Sequence, residues 1–125
     1  MVTRKMGEFT KLRVWQKAHE LTIKIYMLTN KLPKSEQFGL ISQLRRAAVS
    51  VESNIAEGED RYTVADKNKF FIDSRASCSE VRTQLLIVSD LHKQLSSESQ
   101  KLEEEYQILA KQINSLISYR RLKNA

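Results

Sequence analysis

The chain has 125 residues, of which 41% are hydrophobic and 29% are charged, a balance that suits one soluble domain and excludes wholesale disorder. Three glycines and one proline are too few for the tight turns of a β-sandwich, and no glycine cluster suits a nucleotide-binding loop. A single cysteine excludes an internal disulfide, and two histidines add too few ligands for a structural zinc cluster. We therefore expect one domain over residues 1–125, with no cofactor and no metal.

Basic residues outnumber acidic ones, 21 to 15, which gives a net charge of +6. Residues 1–50 hold ten basic and three acidic side chains, whereas residues 51–100 hold six and nine. This excess favours an anionic partner such as RNA or DNA. The longest aliphatic run, Leu85–Val88, is far shorter than the roughly 20 residues of a membrane span, and no signal peptide begins the chain. A cytoplasmic protein without membrane contact is expected.

Apolar residues at spacings of three and four predict a first helix over residues 12–32. Its apolar face consists of Val14, Ala18, Leu21, Ile25, Leu28 and Leu32. Pro33 should end this helix, because the residue before a proline is displaced from the helical region. A second helix is predicted over residues 36–57, with Ser35 as its N-cap and Gly58 in the left-handed conformation that closes many helices.

Two further helices are predicted over residues 64–95 and 99–120. Thr63 should cap the first of them, and Ser97 has the capping-box spacing for the second. Because each connection is only a few residues long, sequential helices should be antiparallel neighbours. The predicted fold is therefore all-α, an antiparallel up-down-up-down four-helix bundle.

Several stretches of the sequence resemble a bacterial four-helix bundle family that is encoded within 23S rRNA intervening sequences and elsewhere. The most distinctive one reads QLRRAAVSVESNIAEG in the second predicted helix. In chain order, the stretches that carry the resemblance are Leu12–Ala18, Phe38–Leu40, Gln43–Gly58, Phe70–Phe71 and Ser77–Leu85. The sequence departs from the family pattern at three positions of the third helix, Asp73, Ser74 and Ala76.

This resemblance implies a small bundle that assembles into a homo-oligomeric ring, typically a pentamer. It implies no established enzymatic reaction. A related accessory protein of diversity-generating retroelements is similar in fold and handles nucleic acid through a basic surface. The family's association with ribosomal proteins rests on gene location, which is a poor guide to what the protein binds.

Basic side chains form a row on one face of the first predicted helix. At about 100° per residue they fall within a narrow arc, a spacing that suits phosphate contacts. The candidate nucleic-acid-binding residues are Arg13, Lys17, Lys24 and Lys31, with Arg45 of the second helix as an extension. The competing interpretation is a solvated face whose lysine stems cover the edge of the core. Since the row contains no aromatic residue, stacking on bases is not expected.

A second row, on the second helix, consists of Arg46, Ser50, Asn54 and Glu57. Its steps of four, four and three residues place it beside the apolar face. Such a row suits a hydrogen-bonding network that fixes helix register or joins subunits, and this is the preferred interpretation. A pocket for a ligand or a catalytic site stays open as the alternative.

No catalytic constellation emerges, so we expect a protein that is not an enzyme. A Ser77 nucleophile would need a base, and neither histidine is placed near it by the sequence. Surplus apolar residues lie off the main stripes of the first and third helices at Ile23, Ile72, Leu86 and Ile87. Such a surface usually marks an interface. Together with the family resemblance, it predicts a homo-oligomer, a pentameric ring closed by head-to-tail contacts. A structural adaptor that binds another protein is the alternative function.

Overall fold

Four long α-helices account for most of residues 8–124, the part of the chain that this computed structural model describes. They are α1 (Arg13–Thr29), α2 (Ser42–Glu59), α3 (Val64–Leu91) and α4 (Ser96–Asn124). Each helix packs against the next one along the chain, and α1 also packs against α4. The order around the bundle therefore follows the chain order, and short connections make the directions alternate. The predicted all-α, up-down-up-down four-helix bundle is confirmed.

Each helix contributes one apolar stripe to a common core, and in the first helix its residues are the ones that the spacing of three and four predicted. The largest aliphatic and aromatic side chains of this core are fully buried. They include Leu21, Ile25 and Leu28 of α1, Leu44, Val51 and Ile55 of α2, Phe71 and Leu85 of α3, and Tyr106, Leu109, Ile113 and Ile117 of α4. The core is thus complete within one chain, before any contact with a second molecule.

The connection between α1 and α2 is longer than predicted. Helix α1 ends at Thr29, and a 3-10 turn (Lys34–Glu36) and a π-turn (Gln37–Ile41) precede α2. Ser35 therefore does not cap α2. Gly39, with φ −111° and ψ −110°, interrupts the helical backbone inside the π-turn and so delays the start of the helix.

The corner between α3 and α4 also differs from the prediction, because His92 leaves the helical region with φ −122° and ψ 79°. Helix α4 begins one residue before Ser97, which therefore lies inside the helix and not at its cap. Ser99 is buried and donates a hydrogen bond to the carbonyl oxygen of Leu85 at 2.6 Å. At the other end of α3, Thr63 is the N-cap, as predicted, and its hydroxyl accepts a backbone hydrogen bond.

Gly58 has a different role from the predicted one. Helix α2 continues one residue beyond it, and no glycine in residues 8–124 has a positive φ. A Cβ atom at this position would lie 2.9 Å from Cε1 of Phe71 and 3.0 Å from the carbonyl oxygen of Lys67. The prediction of a left-handed helix end was therefore wrong. The glycine permits the close approach of α2 and α3.

Candidate functional site

The three lysines of the predicted basic row lie along the edge that α1 shares with α4. Nζ of Lys17 and Nζ of Lys24 lie 3.5 Å and 3.3 Å from the same carboxylate oxygen of Glu105. Two turns closer to the start of α4, Glu98 accepts from Lys31 at 3.0 Å. Acidic side chains of the same molecule therefore balance most of the charge of this row.

The other two candidate residues of the basic surface, Arg13 and Arg45, have different surroundings. Arg13 is exposed and forms no ion pair with any residue that the structure describes. Arg45 lies on the opposite side of α1, where it donates to Thr29 and Asn30 at 2.9 Å each. Its guanidinium also lies 4.5 Å from the ring centre of Tyr26. The structure therefore does not bring Arg45 together with the lysines.

The polar row of α2 is divided into an inner and an outer pair. The hydroxyl of Ser50 lies 2.9 Å from that of Ser77 on α3, and the amide of Asn54 donates to the carbonyl oxygen of Ser50 at 2.9 Å. Arg46 and Glu57 are exposed, and neither has a hydrogen bond or an ion pair within the described part of the chain. Ser50 therefore joins α2 to α3, Asn54 bonds back to Ser50 within α2, and the outer pair faces solvent.

Small side chains of α3 complete the seam between α2 and α3. Ser74 donates to the carbonyl oxygen of Val51 at 2.7 Å, and Cys78 is fully buried beside it. Burial raises the pKa of the Cys78 thiol to about 12, well above its ordinary value. Because the thiolate is the reactive form, Cys78 is a packing residue and is inert at neutral pH.

Each histidine forms a pair with one carboxylate. His19 lies 2.9 Å from Glu52 and stacks on Trp15, with the ring centres 5.0 Å apart. His92 lies 2.8 Å from Glu36. Within residues 8–124, no serine or cysteine side chain is hydrogen-bonded to either imidazole, as a nucleophile of a catalytic triad would be. The same residues contain no group of three or more potential metal ligands.

An ion cluster that the sequence did not reveal closes the end of the bundle where α2, α3 and α4 meet. The carboxylate of Glu59 accepts from Lys67 at 3.2 Å and from Arg120 at 2.9 Å. Burial alone would raise the pKa of Glu59, but the hydrogen bonds and charges of the two partners outweigh burial and lower it. Since Glu59 and Arg120 are 61 positions apart, no local spacing could have indicated this Glu59 cluster.

Large apolar side chains stay exposed on two opposite sides of the bundle. On the side formed by α1 and α4, the exposed fractions are 51% for Ile23, 59% for Met27 and 55% for Ile108. We call these three residues the α1–α4 patch. On the opposite side, formed by α2 and α3, Ile87 is 40% and Leu91 is 66% exposed.

A groove of about 730 Å³ runs along α3 beside the π-turn that precedes α2. Leu40, Ile87 and Leu91 form its apolar wall, and Glu80 lies at its rim. Gln84 also lines it, and the buried amide oxygen of this side chain has no donor among the residues that the structure describes. We call this depression the α2–α3 groove.

The four-helix fold is shared with known proteins. A family model described as 23S rRNA-intervening sequence protein matches residues 10–115. The chain belongs to this family. A crystal structure of a protein of unknown function from the S23 ribosomal protein family of Bacteroides thetaiotaomicron VPI-5482 superposes with a TM-score of 0.76 at 19% sequence identity. The match covers 83% of this chain and 97% of that chain, and at this identity it supports the fold alone. No curated protein matches the chain in sequence.

In this member of the 23S rRNA-intervening sequence protein family, the most distinctive stretch of sequence, Gln43–Gly58, forms almost all of helix α2. Its small and apolar residues, such as Ala47 and Val51, are buried, and Ser50 and Gly58 meet α3 directly. The stretch therefore encodes the packing of α2 on its neighbours. No helix in residues 8–124 is both long and apolar enough to cross a membrane.

Proposed function

We propose that this 23S rRNA-intervening sequence protein is a non-enzymatic scaffold assembled from several copies of the chain. The observation that carries the proposal is the presence of two exposed apolar surfaces outside a core that is already complete. Isolated apolar residues on a surface are common, but clustered ones with polar surroundings usually mark an interface. Burial against another copy would remove Ile23, Met27 and Leu91 from water, which is favourable.

The absence of reactive groups in the described part of the chain supports a role that is not catalytic. The thiol of Cys78 is buried and protonated, and the hydroxyls of Ser50 and Ser77 are bonded to each other. Both histidines are engaged with carboxylates, so no base stands beside a nucleophile.

Sedimentation equilibrium of the unmodified chain tests the scaffold proposal. We expect a mass that is a multiple of 14.5 kDa, and the resemblance to ring-forming relatives favours five copies. Because the contact is largely apolar, moderate salt should not dissociate it. A mass of one chain at micromolar concentration would refute the proposal.

Nucleic-acid binding is the second candidate function, favoured by the net charge of +6 and by the exposure of Arg13 and Lys31 at the two ends of the basic row. Arg13 has no acidic partner in the described residues, and the pair between Lys31 and Glu98 is open to solvent. Exposed ion pairs are worth about 0–1 kcal/mol, so a phosphate can replace such a carboxylate at little cost. A ring would repeat the row once in each subunit.

A titration with RNA, single-stranded DNA and duplex DNA at several salt concentrations tests this second function. The key variant replaces the three lysines of the row by glutamine, Lys17→Gln, Lys24→Gln and Lys31→Gln. It should weaken binding and flatten the dependence of affinity on salt. A matched control removes the same charge elsewhere, through glutamine at Lys69, Lys93 and Lys123. Unchanged affinity and slope in the first variant would leave the row as a solvated face.

A further inference from the structure

We infer that a groove between α3 and α4 binds a small ligand that carries a chain of phosphate groups. The groove has a volume of about 760 Å³ and runs between residues 72–82 of α3 and residues 107–115 of α4. We call it the α3–α4 groove. A depression of this size is typical of sites for small molecules. The inference goes beyond the scaffold proposed above and does not depend on the number of copies in the assembly.

Three basic side chains line the α3–α4 groove, and two of them have no carboxylate partner in the described part of the chain. Arg75 donates to the amide oxygen of Asn114, which is neutral and leaves the charge of the guanidinium uncompensated. Lys111 is exposed and has neither a hydrogen bond nor an ion pair with a described residue. The third, Arg82, donates to Glu103 at 3.1 Å, so its charge is balanced. Since none of the described residues that line the groove is acidic, the groove attracts anions with more than one negative charge.

The basic side chains are spread along the α3–α4 groove and do not meet at one point. Arg75 and Arg82 are seven positions apart on α3, which corresponds to two turns and about 10 Å. Lys111 of α4 lies between their levels, because Arg75 contacts Asn114 and Arg82 contacts Glu103. Cations in a row suit a ligand whose own charges follow one another, as in a chain of phosphates, better than a single compact anion.

The rest of the groove suits the remaining parts of such a ligand. Ser79 lies between the two arginines along α3, and Gln107 of α4 adds an amide. Hydroxyl and amide groups donate hydrogen bonds to phosphate oxygens, and arginine binds them with two parallel ones. Ile72 and Ala110 add apolar surface, on which an uncharged body attached to the phosphates can pack.

Isothermal titration calorimetry of the unmodified chain with tripolyphosphate, ATP and inorganic sulfate, without magnesium, tests the inference. We expect tripolyphosphate to bind more tightly than sulfate, because only the chain of phosphates reaches several cations. ATP distinguishes the sources of the phosphate chain. Tighter binding of ATP would place its nucleoside on the apolar surface, and equal binding would show that the phosphates alone are recognised. Binding of RNA without binding of tripolyphosphate or ATP would overturn the inference, as would equal affinity for tripolyphosphate and sulfate.

The groove variant carries Arg75→Gln and Lys111→Gln, which removes the two cations that have no counter-charge. It should bind tripolyphosphate more weakly by about tenfold or more, since it loses charge-assisted hydrogen bonds to the phosphates. The matched control carries Lys69→Gln and Lys101→Gln, which removes one exposed cation from each of the same helices outside the groove. It should keep the affinity within about twofold, because salt screens distant charges.

Circular dichroism and sedimentation equilibrium show whether the variants keep the helix content and the mass of the unmodified chain. Should the double variant unfold, Lys111→Gln alone replaces it, because this exposed side chain has no partner among the described residues. An equal loss of affinity in the groove variant and in the control would show that net charge alone attracts phosphate, and this would overturn the inference. The scaffold proposal is tested by the mass of the unmodified chain and survives that result.

Discussion

Replacement of Gly58 by alanine tests whether the close approach of α2 and α3 requires a residue without a side chain at position 58. The new Cβ atom would lie 2.9 Å from Cε1 of Phe71 and 3.0 Å from both the carbonyl oxygen of Lys67 and Cβ of Phe70. None of these atoms belongs to the free end of a flexible side chain, and Phe71 is fully buried. The two helices must therefore move apart, and overpacking of this kind costs about 1–3 kcal/mol.

Alanine also favours the helical state over glycine by about 1 kcal/mol, which offsets part of this cost. Taking about 2 kcal/mol from the middle of the overpacking range and subtracting the helical gain, we expect Gly58→Ala to lower the free energy of unfolding by about 1 kcal/mol, a decrease in the urea midpoint of about 0.5 M. Urea unfolding followed by circular dichroism measures the shift at a fixed protein concentration, because assembly contributes to stability. Ser53→Ala, on the exposed side of α2, should change stability by less than about 0.5 kcal/mol. A variant as stable as the parent chain, or more stable, would refute the explanation from close packing.

Three further predictions concern the Glu59 cluster and the buried cysteine. Glu59→Gln should lower the free energy of unfolding by about 2 kcal/mol, because Lys67 and Arg120 then keep their charges in a largely buried site without a counter-charge. A loss below about 0.5 kcal/mol, measured by urea unfolding, would contradict this prediction. Since the fold lowers the pKa of Glu59, its stabilisation is complete above the ordinary value of 4.5 and is lost as the pH falls through the native value. Acid titration from about pH 5 to pH 3 should therefore destabilise the parent chain more than the Glu59→Gln variant, and equal losses would count against the ion cluster. Cys78, with its pKa raised to about 12, should react with an aromatic disulfide reagent only after unfolding, and rapid reaction of the native protein would show that the site is open.

The helices and the core could be predicted from the sequence because they depend on local periodicity. Every residue of the predicted apolar face of α1, from Val14 to Leu32, is buried. The helix ends depend on contacts that local patterns do not contain. The role of Gly58 is decided by Phe71 on the next helix, and Ser99 is held by a carbonyl oxygen on α3.

For the candidate surfaces, the sequence predicts which residues share one face of a helix, but not which residues of another helix lie against that face. Helical spacing placed Lys17 and Lys24 on the same face of α1, and they do lie together. It could not indicate that Glu105, 81 positions after Lys24, would lie opposite them and balance their charge. Spacing describes the face of a helix, whereas the electrostatic character of a surface also depends on which helix packs beside it.

Light scattering at micromolar concentration gives the mass of the unmodified protein in solution, and this mass decides whether the chain assembles with itself. We predict an assembly of several 14.5 kDa chains that persists at high salt, because exposed apolar surfaces of the bundle hold it together. A single species with the mass of one chain, with Ile23, Met27 and Leu91 left in water, would contradict it.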